Sequence, residues 1–529
     1  MKDARSKYML KNSLKEKSKA KSVRALLLAN ASALALSACG GGSSSNDNDA
    51  PDDGNQLPDL RNFITGTDEA EAIPGTVGAD FVQALDGNDY IMTLTGDDEV
   101  HAGGGDDTIW ADAGNDVIYG GAGDDTIYPG EGDDTSYGGE GDDTLYLSSG
   151  NDMEDGGAGN DTIKILPTHS GIATTIDLLI GQYYFTVQGS SSFFNLKSIE
   201  NVDSQANADL TIKDTPDVNI ITTGRGDDVI LSVGGNDVIS TGGGNDRVEL
   251  ATGFEYEVDL GSGDDEVILG LSYSMLDGGL GTDKLSVTSA DGISDFYADL
   301  SSGFYFFDGI ATSQDGFDTV LTSFESVEVS GVINAELIGG VAAETFVTDE
   351  GEDSVSAGGG DDVISVGTSA DTVTGGGGDD TIDLGAADLS ADTVVFSSSA
   401  SANGVDTITS FETGVDAMDF SAMTTLTGTR VVSSSSSTSK MTLSSAKSLV
   451  VTDSTAGDWS DVAAIMTAGI NVIGDVTGDT IIAVNNGIDT RIYLYEDDAV
   501  DNVSIQDAEL TLLATLQTTL VAESDFVIA

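Results

Sequence analysis

Disulfides, histidine chemistry and positive charge are all scarce in this chain. One cysteine, Cys39, among 529 residues leaves no intramolecular disulfide to hold a fold. The two histidines, His101 and His169, do not form an H-E-x-x-H motif, which excludes a zinc protease of that type. No G-x-S-x-G nucleophile elbow occurs, and a Ser-His-Asp triad would have to use one of the same two histidines. Lys and Arg number 20 against 91 Asp and Glu, a formal net charge of -71. Nine of those 20 sit in the first 24 residues, beside only Asp3 and Glu16, so the remaining chain carries 11 basic against 89 acidic groups. Such a body repels nucleic acid and anionic membrane surfaces, and it also repels itself. Divalent cations are the expected partners. The solvated surface of a halophile would scatter its acids, whereas here they fall on a period.

Proline is low at 6 residues, while glycine reaches 67 and hydrophobic residues 39%. Recurring Ile and Val within the glycine-rich stretches argue for ordered β structure rather than low-complexity coil. Ten aspartates stand nine residues apart: Asp80, Asp89, Asp98, Asp107, Asp116, Asp125, Asp134, Asp143, Asp152 and Asp161. A glycine precedes each by two, from Gly78 to Gly159, and an aliphatic residue usually follows by two, as in Val82, Ile91, Val100 and Ile109. The unit reads G-G-x-G-x-D-x-U-x with U aliphatic, and it is complete in Gly120 to Tyr128, Gly138 to Tyr146 and Gly156 to Lys164. In frame, the block covers 66–164 as eleven units, the first with Glu71 at the aspartate position. Glycines make the tight turn, and the T-I-Y or V-I-Y segment makes a short strand whose central aliphatic points inward. Turn, strand, turn, strand gives one coil per 18 residues. The predicted fold is therefore all-β, a parallel β-roll or β-solenoid. Its inner ladder is thin, and stacked turns put the aspartates into a like-charge column. A cation between turns would reverse that repulsion, with carboxylates and turn carbonyls as oxygen ligands.

These residues resemble the RTX (repeats-in-toxin, haemolysin-type) calcium-binding repeat, whose nonapeptide belongs to the known repeat signatures. The resemblance implies a β-roll that binds several Ca2+ ions and folds on binding them. A second block, 216–286, has Asp228, Asp237 and Asp246 nine apart, then Asp265 and Asp283 one coil apart. A third, 339–395, has Asp353, Asp362, Asp371 and Asp380. All of these aspartates are candidate calcium ligands. Three departures mark expected weak points. The inward position holds Ser136 in one unit and Glu154 in another, and Leu250 to Val258 carries Glu255 and Glu257 and is expected to interrupt its roll.

Two spacers, 165–215 and 287–338, resemble each other. Asp177-Leu178, Gly181, Tyr183 and Phe185 match Asp299-Leu300, Gly303, Tyr305 and Phe307. The tags Leu196-Lys-Ser-Ile-Glu-Asn-Val202 and Leu321-Thr-Ser-Phe-Glu-Ser-Val327 also match. Their alternating aromatics predict strands with one buried face, with a glycan-binding face as the alternative. The region 396–529 reads as a β-rich module. In it, 404–420 resembles a hairpin that closes RTX proteins, 480–498 predicts two strands around Asn-Asn-Gly, and 508–520 predicts a short amphipathic helix. The end, Asp525-Phe-Val-Ile-Ala529, is similar to the signal of type I secretion substrates.

At the other end, residues 1–24 are basic and 25–38 are apolar, fourteen residues that suit a signal-peptide core and fall short of a membrane span. Leu36-Ser37-Ala38-Cys39 looks like a lipobox, which makes 1–39 a leader, Cys39 a lipidation site and 40–65 a flexible tether. The expected protein is secreted or tethered to a bacterial outer membrane. It would be a structural or adhesive surface protein without enzymatic activity, exported by the type I machinery, with cell-surface glycans or its own copies as partners. The alternative is a secreted enzyme acting on polysaccharides from the non-repeat regions.

Overall fold

A computed structural model describes residues 61–166, 174–187, 190–288, 293–307, 319–385, 389–396, 405–411, 415–419, 431–434, 449–453, 480–485, 490–495, 510–516 and 526–527. The leader with Cys39, residues 40–60 of the expected tether and His169 lie outside these residues. The tether's last residues, expected to be flexible, instead form the strand Asn62–Thr65, paired in parallel with Asp80–Asp86 because they complete a first coil. The described structure is all-β, a parallel solenoid without helix. It divides into two compact units, Met1–Arg225 and Gly226–Ala529, with the division falling inside the second repeat block.

In the first unit each 18-residue coil contributes one longer and one shorter strand. The longer strands are Asp80–Asp86, Glu99–Gly104, Val117–Ala122, Thr135–Glu140 and Met153–Ala158. The shorter are Tyr90–Met92, Thr108–Trp110, Thr126–Tyr128, Thr144–Tyr146 and Thr162–Ile165. Neighbours pair in parallel at a strict 18-residue offset, as in Val82 with Val100 and Ile109 with Ile127. That register follows from the period-two strand, because a one-residue slip would turn every aliphatic outward. Ile91, Ile109, Ile127, Leu145 and Ile163 line one inner wall and are fully buried. The facing wall runs Val82, Val100, Ile118, Ser136, Glu154 and Leu196, so Ser136 and Glu154 sit in the ladder where isoleucine belongs. Both are completely buried and the strand pairing continues through them. Outward side chains also stack. Trp110 lies 3.7 Å from Tyr128, Tyr128 lies 4.0 Å from Tyr146, and the second face stacks His101, Tyr119 and Tyr137.

The first spacer is an antiparallel hairpin inserted between coils. Thr174–Asp177 pairs with Gln182–Val187, and that strand pairs with Ser190–Lys197. Tyr183 and Phe194 stack at 4.1 Å and are buried. In the second unit Asp295–Asp299 and Phe304–Phe307 form the corresponding hairpin, with Phe296, Tyr305 and Phe307 buried. Tyr183, Phe194, Phe296, Tyr305 and Phe307 thus pack inward as core, while Tyr297, Phe304 and Phe306 stack on the opposite face of the second hairpin, with Phe304 exposed.

Three expectations are corrected in the second unit. The coil at 250–258 is not an interruption: Glu257–Asp259 pairs in parallel with Val238–Ser240 and with Met275–Asp277. Val258 is its inward residue, and both acids alternate outward from it or lie in the turn. The region after 404 is not a closing hairpin either, since Asp406–Thr409 and Ala417–Asp419 are further parallel coil strands, paired with Thr381–Asp383 and Thr393–Val395. Finally, Leu510–Leu516 is a strand, antiparallel to Thr490–Tyr495 and parallel to Asp406–Thr409. Strand pairing here overrides the helical periodicity of its leucines. Thr480–Asn485 and Thr490–Tyr495 pair antiparallel, as the Asn-Asn-Gly pattern predicts.

Candidate metal column

The aspartates of the nonapeptides form columns inside the turns. Within each run the carboxylate Oδ1 accepts the backbone N–H of the aspartate one coil earlier, and the first aspartates of a run accept from other residues, as Asp89 does from Glu71 and Asp353 from Ala335. Asp98 accepts from Asp80 at 2.7 Å, Asp107 from Asp89 at 2.7 Å, and Asp116, Asp125 and Asp143 follow at 2.8 Å. The pattern continues from Asp134 to Asp152 and from Asp143 to Asp161. In the second unit it links Asp228, Asp246, Asp265 and Asp283, then Asp353 to Asp371 and Asp362 to Asp380. These aspartates are at most 2% exposed. One oxygen of each is therefore placed by the protein.

The other oxygen is not. Oδ2 of Asp89, Asp107, Asp116, Asp125, Asp134, Asp143, Asp161, Asp265 and Asp283 is buried without a hydrogen-bond partner. A buried anionic oxygen left alone is costly. Burial pushes Asp125 up to about 8, against the pull of the Asp107 N–H, and the charges of Asp107 and Asp143 add to the rise. Asp116 and Asp143 are driven to about 7 and Asp107 and Asp134 to about 6, again by burial first. A proton or a cation has to neutralise the column.

A carbonyl from the next coil faces the same space. A Cβ built on Gly120 would come closer than 3.0 Å to both Asp125 Oδ2 and Gly138 O, and one on Gly138 would do the same with Asp143 Oδ2 and Gly156 O. The two oxygens are thus no more than about 5 Å apart, a span that one calcium with 2.3–2.6 Å bonds closes. At Gly120 and Gly138 a side chain would fill this cradle as the backbone stands, although alanine occupies the same position in other units, at Ala102 and Ala111. The glycine at the fourth position answers backbone contact instead, with Gly114 at φ +150 packed onto Gly96 O.

The family described as RTX calcium-binding nonapeptide repeat (4 copies) matches the chain at 65–100, 74–109, 92–127, 101–136, 128–163, 215–249, 338–372 and 356–388. The chain carries RTX calcium-binding repeats. No curated protein matches it.

Among the described residues, no three His, Cys, Asp or Glu side chains gather into a metal-holding group. The RTX donor set present is thus one carboxylate oxygen with backbone carbonyls, a hard-oxygen set suited to calcium. The column is not uniform. Asp80 Oδ2 accepts the Thr76 N–H at 2.6 Å, Asp152 Oδ2 accepts the Ser148 hydroxyl at 2.9 Å, and Asp237 Oδ2 accepts that of Ser232 at 3.0 Å. In the coil after Asp237 the aspartate position belongs to Tyr256, whose hydroxyl meets Ser232 and Ala251 O. One side of the second block is thereby largely uncharged, and Asp228, Asp246, Asp265 and Asp283 all lie on the other.

Two features escape a reading of the sixth position alone. An outer ladder uses the fifth position, where Asp124 N–H donates to Asp106, Asp133 to Asn115 and Asp142 to Asp124, in the opposite sense to the inner column. The Asn or Asp that precedes most ligand positions, such as Asn88, Asp106, Asn115 and Asp124, was the available signal. The inner column also continues past Asp380 through Asp406 and past Asp371 through Asp392 and Asp416, at spacings of 26, 21 and 24. Longer loops hide these from a nine-residue count, although the Asp392-Thr-Val and Asp406-Thr-Ile strings preserve the D-x-U core.

Proposed function

We propose that this RTX protein is an extracellular, non-enzymatic calcium-folded scaffold with a structural or adhesive role. The carrying observation is the column of buried aspartate Oδ2 atoms without partners, which makes the fold conditional on a cation. In a calcium-poor cytosol the column resists assembly, and the chain remains fit for export by the type I route. In millimolar calcium outside, binding and folding occur together, because the cradle between coils exists only in the folded roll. Tethering through a lipidated Cys39 would instead use the leader at 1–39, an alternative route to the same surface location that bypasses the type I machinery. A groove of about 590 Å³ beside Trp110, Tyr128 and Tyr146, with Glu131 and Ser149 on its rim, supports an adhesive contact with glycans. Support for a non-enzymatic role comes from the sequence, which has neither an H-E-x-x-H nor a G-x-S-x-G motif.

Circular dichroism of the full chain tests the reading. A disordered spectrum in EDTA should convert to β structure on calcium addition, and an unchanged β spectrum in EDTA would count against it.

A further inference from the structure

The two spacers leave the roll and return to it through matching tags, and both tags rebuild a coil turn without the nonapeptide. In the first, Glu200 Oε2 accepts the Asp161 N–H at 2.8 Å, the bond that the next aspartate would accept in a regular coil. In the second, Glu325 Oε2 accepts the Asp283 N–H at 2.9 Å. The return distances are 39 and 42 residues rather than 18. Backbone bonds repeat as well: the N–H groups of Glu200 and Asn201 donate to Asp161 O, and those of Glu325 and Ser326 donate to Asp283 O. Ile199 and Phe324 are buried and anchor each tag.

The carbonyl is rebuilt too. Ser198 and Ser323 adopt φ of +50 and +60, a left-handed conformation that serine rarely takes. In that conformation Ser198 O faces Gly156, where a Cβ would come closer than 3.0 Å to both this carbonyl and Asp161 Oδ2. Ser323 O and Asp283 Oδ2 converge in the same way at Gly278. Asp161 and Asp283 are 0% exposed, and their Oδ2 atoms have no partner. Each junction therefore holds an unpartnered buried carboxylate oxygen, a carbonyl aimed beside it, and a second carboxylate, on glutamate, within one hydrogen bond of the aspartate backbone.

We propose that Asp161, Ser198 and Glu200, and likewise Asp283, Ser323 and Glu325, form two junction calcium sites that fasten each inserted hairpin to the roll. Asp161 and Asp283 close their nonapeptide blocks, whereas Ser198, Glu200, Ser323 and Glu325 lie outside the pattern; the two sites rest on the calcium reading above. The glutamate's hydrogen bond alone needs only an acceptor oxygen, which glutamine retains. The cation needs the charge.

Equilibrium dialysis of the full chain against calcium, with Glu200→Gln, Glu325→Gln and the double variant, separates the two roles. The expected result is one bound calcium fewer in each single variant and two fewer in the double. Exchange of the backbone amides in 194–197 or 320–322 should rise at least tenfold at saturating calcium, at the altered junction only. Unchanged stoichiometry in the folded Gln variants overturns the proposal, while a wild-type chain that takes up no calcium overturns the reading beneath it. Should a Gln variant fail to fold, Glu200→Asp and Glu325→Asp keep the charge and withdraw the oxygen by one methylene. At least tenfold weaker binding of one calcium then supports the site, and undiminished affinity rejects it.

Discussion

Asp125 is pulled in two directions. Its Oδ1 is satisfied by a backbone N–H one coil earlier, and its Oδ2 is buried with nothing to bind. The first glycine of the unit leaves the cradle open beside that second oxygen. Gly120→Ala should therefore weaken calcium uptake and destabilise the calcium-loaded fold by roughly 1–3 kcal/mol, the usual cost of overpacking, read from the urea midpoint. Glu154 is the opposite case, a carboxyl buried in an aliphatic ladder with only the neighbouring Ser136 hydroxyl to ease it and its pKa raised well above normal by burial. Glu154→Leu should stabilise the loaded fold by roughly 1–3 kcal/mol, the cost of burying an unsatisfied polar group. A lower urea midpoint in that variant would contradict this account. The repeating aspartates were legible in the sequence because their period is strict. The hydroxyls that satisfy Asp152 and Asp237 were not, because Ser148 and Ser232 become partners only when the turn folds back.

At the level of the coil, each turn is a carboxylate held between backbones, and its protonation couples to assembly. Asp107, Asp116, Asp125, Asp134 and Asp143 have folded-state pKa values raised from 3.8 to between about 6 and about 8. A raised acid binds its proton more tightly when folded. Its contribution to the calcium-free fold is complete below about pH 4 and is lost as pH rises through 6 to 8. In EDTA, β-sheet ellipticity should therefore grow as the pH is lowered from 8 to 5; a calcium-free fold that weakens over that range would be the contrary result. Calcium uptake at pH 7 should correspondingly release protons, measurable in weak buffer. Strand register was readable from the sequence, since aliphatics at every eighteenth residue permit only one parallel alignment. The continuation through Asp392, Asp406 and Asp416 was not, because pairing tolerates loops of different length between coils.

For the whole molecule, a net charge of -71 has to be neutralised before coils can stack. Calcium should shrink the hydrodynamic radius sharply. Magnesium at equal concentration should not, because it demands near-octahedral geometry and gives up its water reluctantly. Equal compaction by the two ions in light scattering would mean that simple charge screening folds the chain. By itself, the sequence determined the coil: its 18-residue length, inward aliphatics, glycine turns and need for a cation all follow from local spacing. Only the tertiary structure decided which carboxylate oxygens stay open, that the coil at 250–258 continues, and that the spacer tags re-enter the roll as surrogate turns. The reason is physical. A period fixes what lies one coil away, whereas the partner of a buried oxygen depends on which turn, hydroxyl or inserted hairpin the folded chain brings beside it.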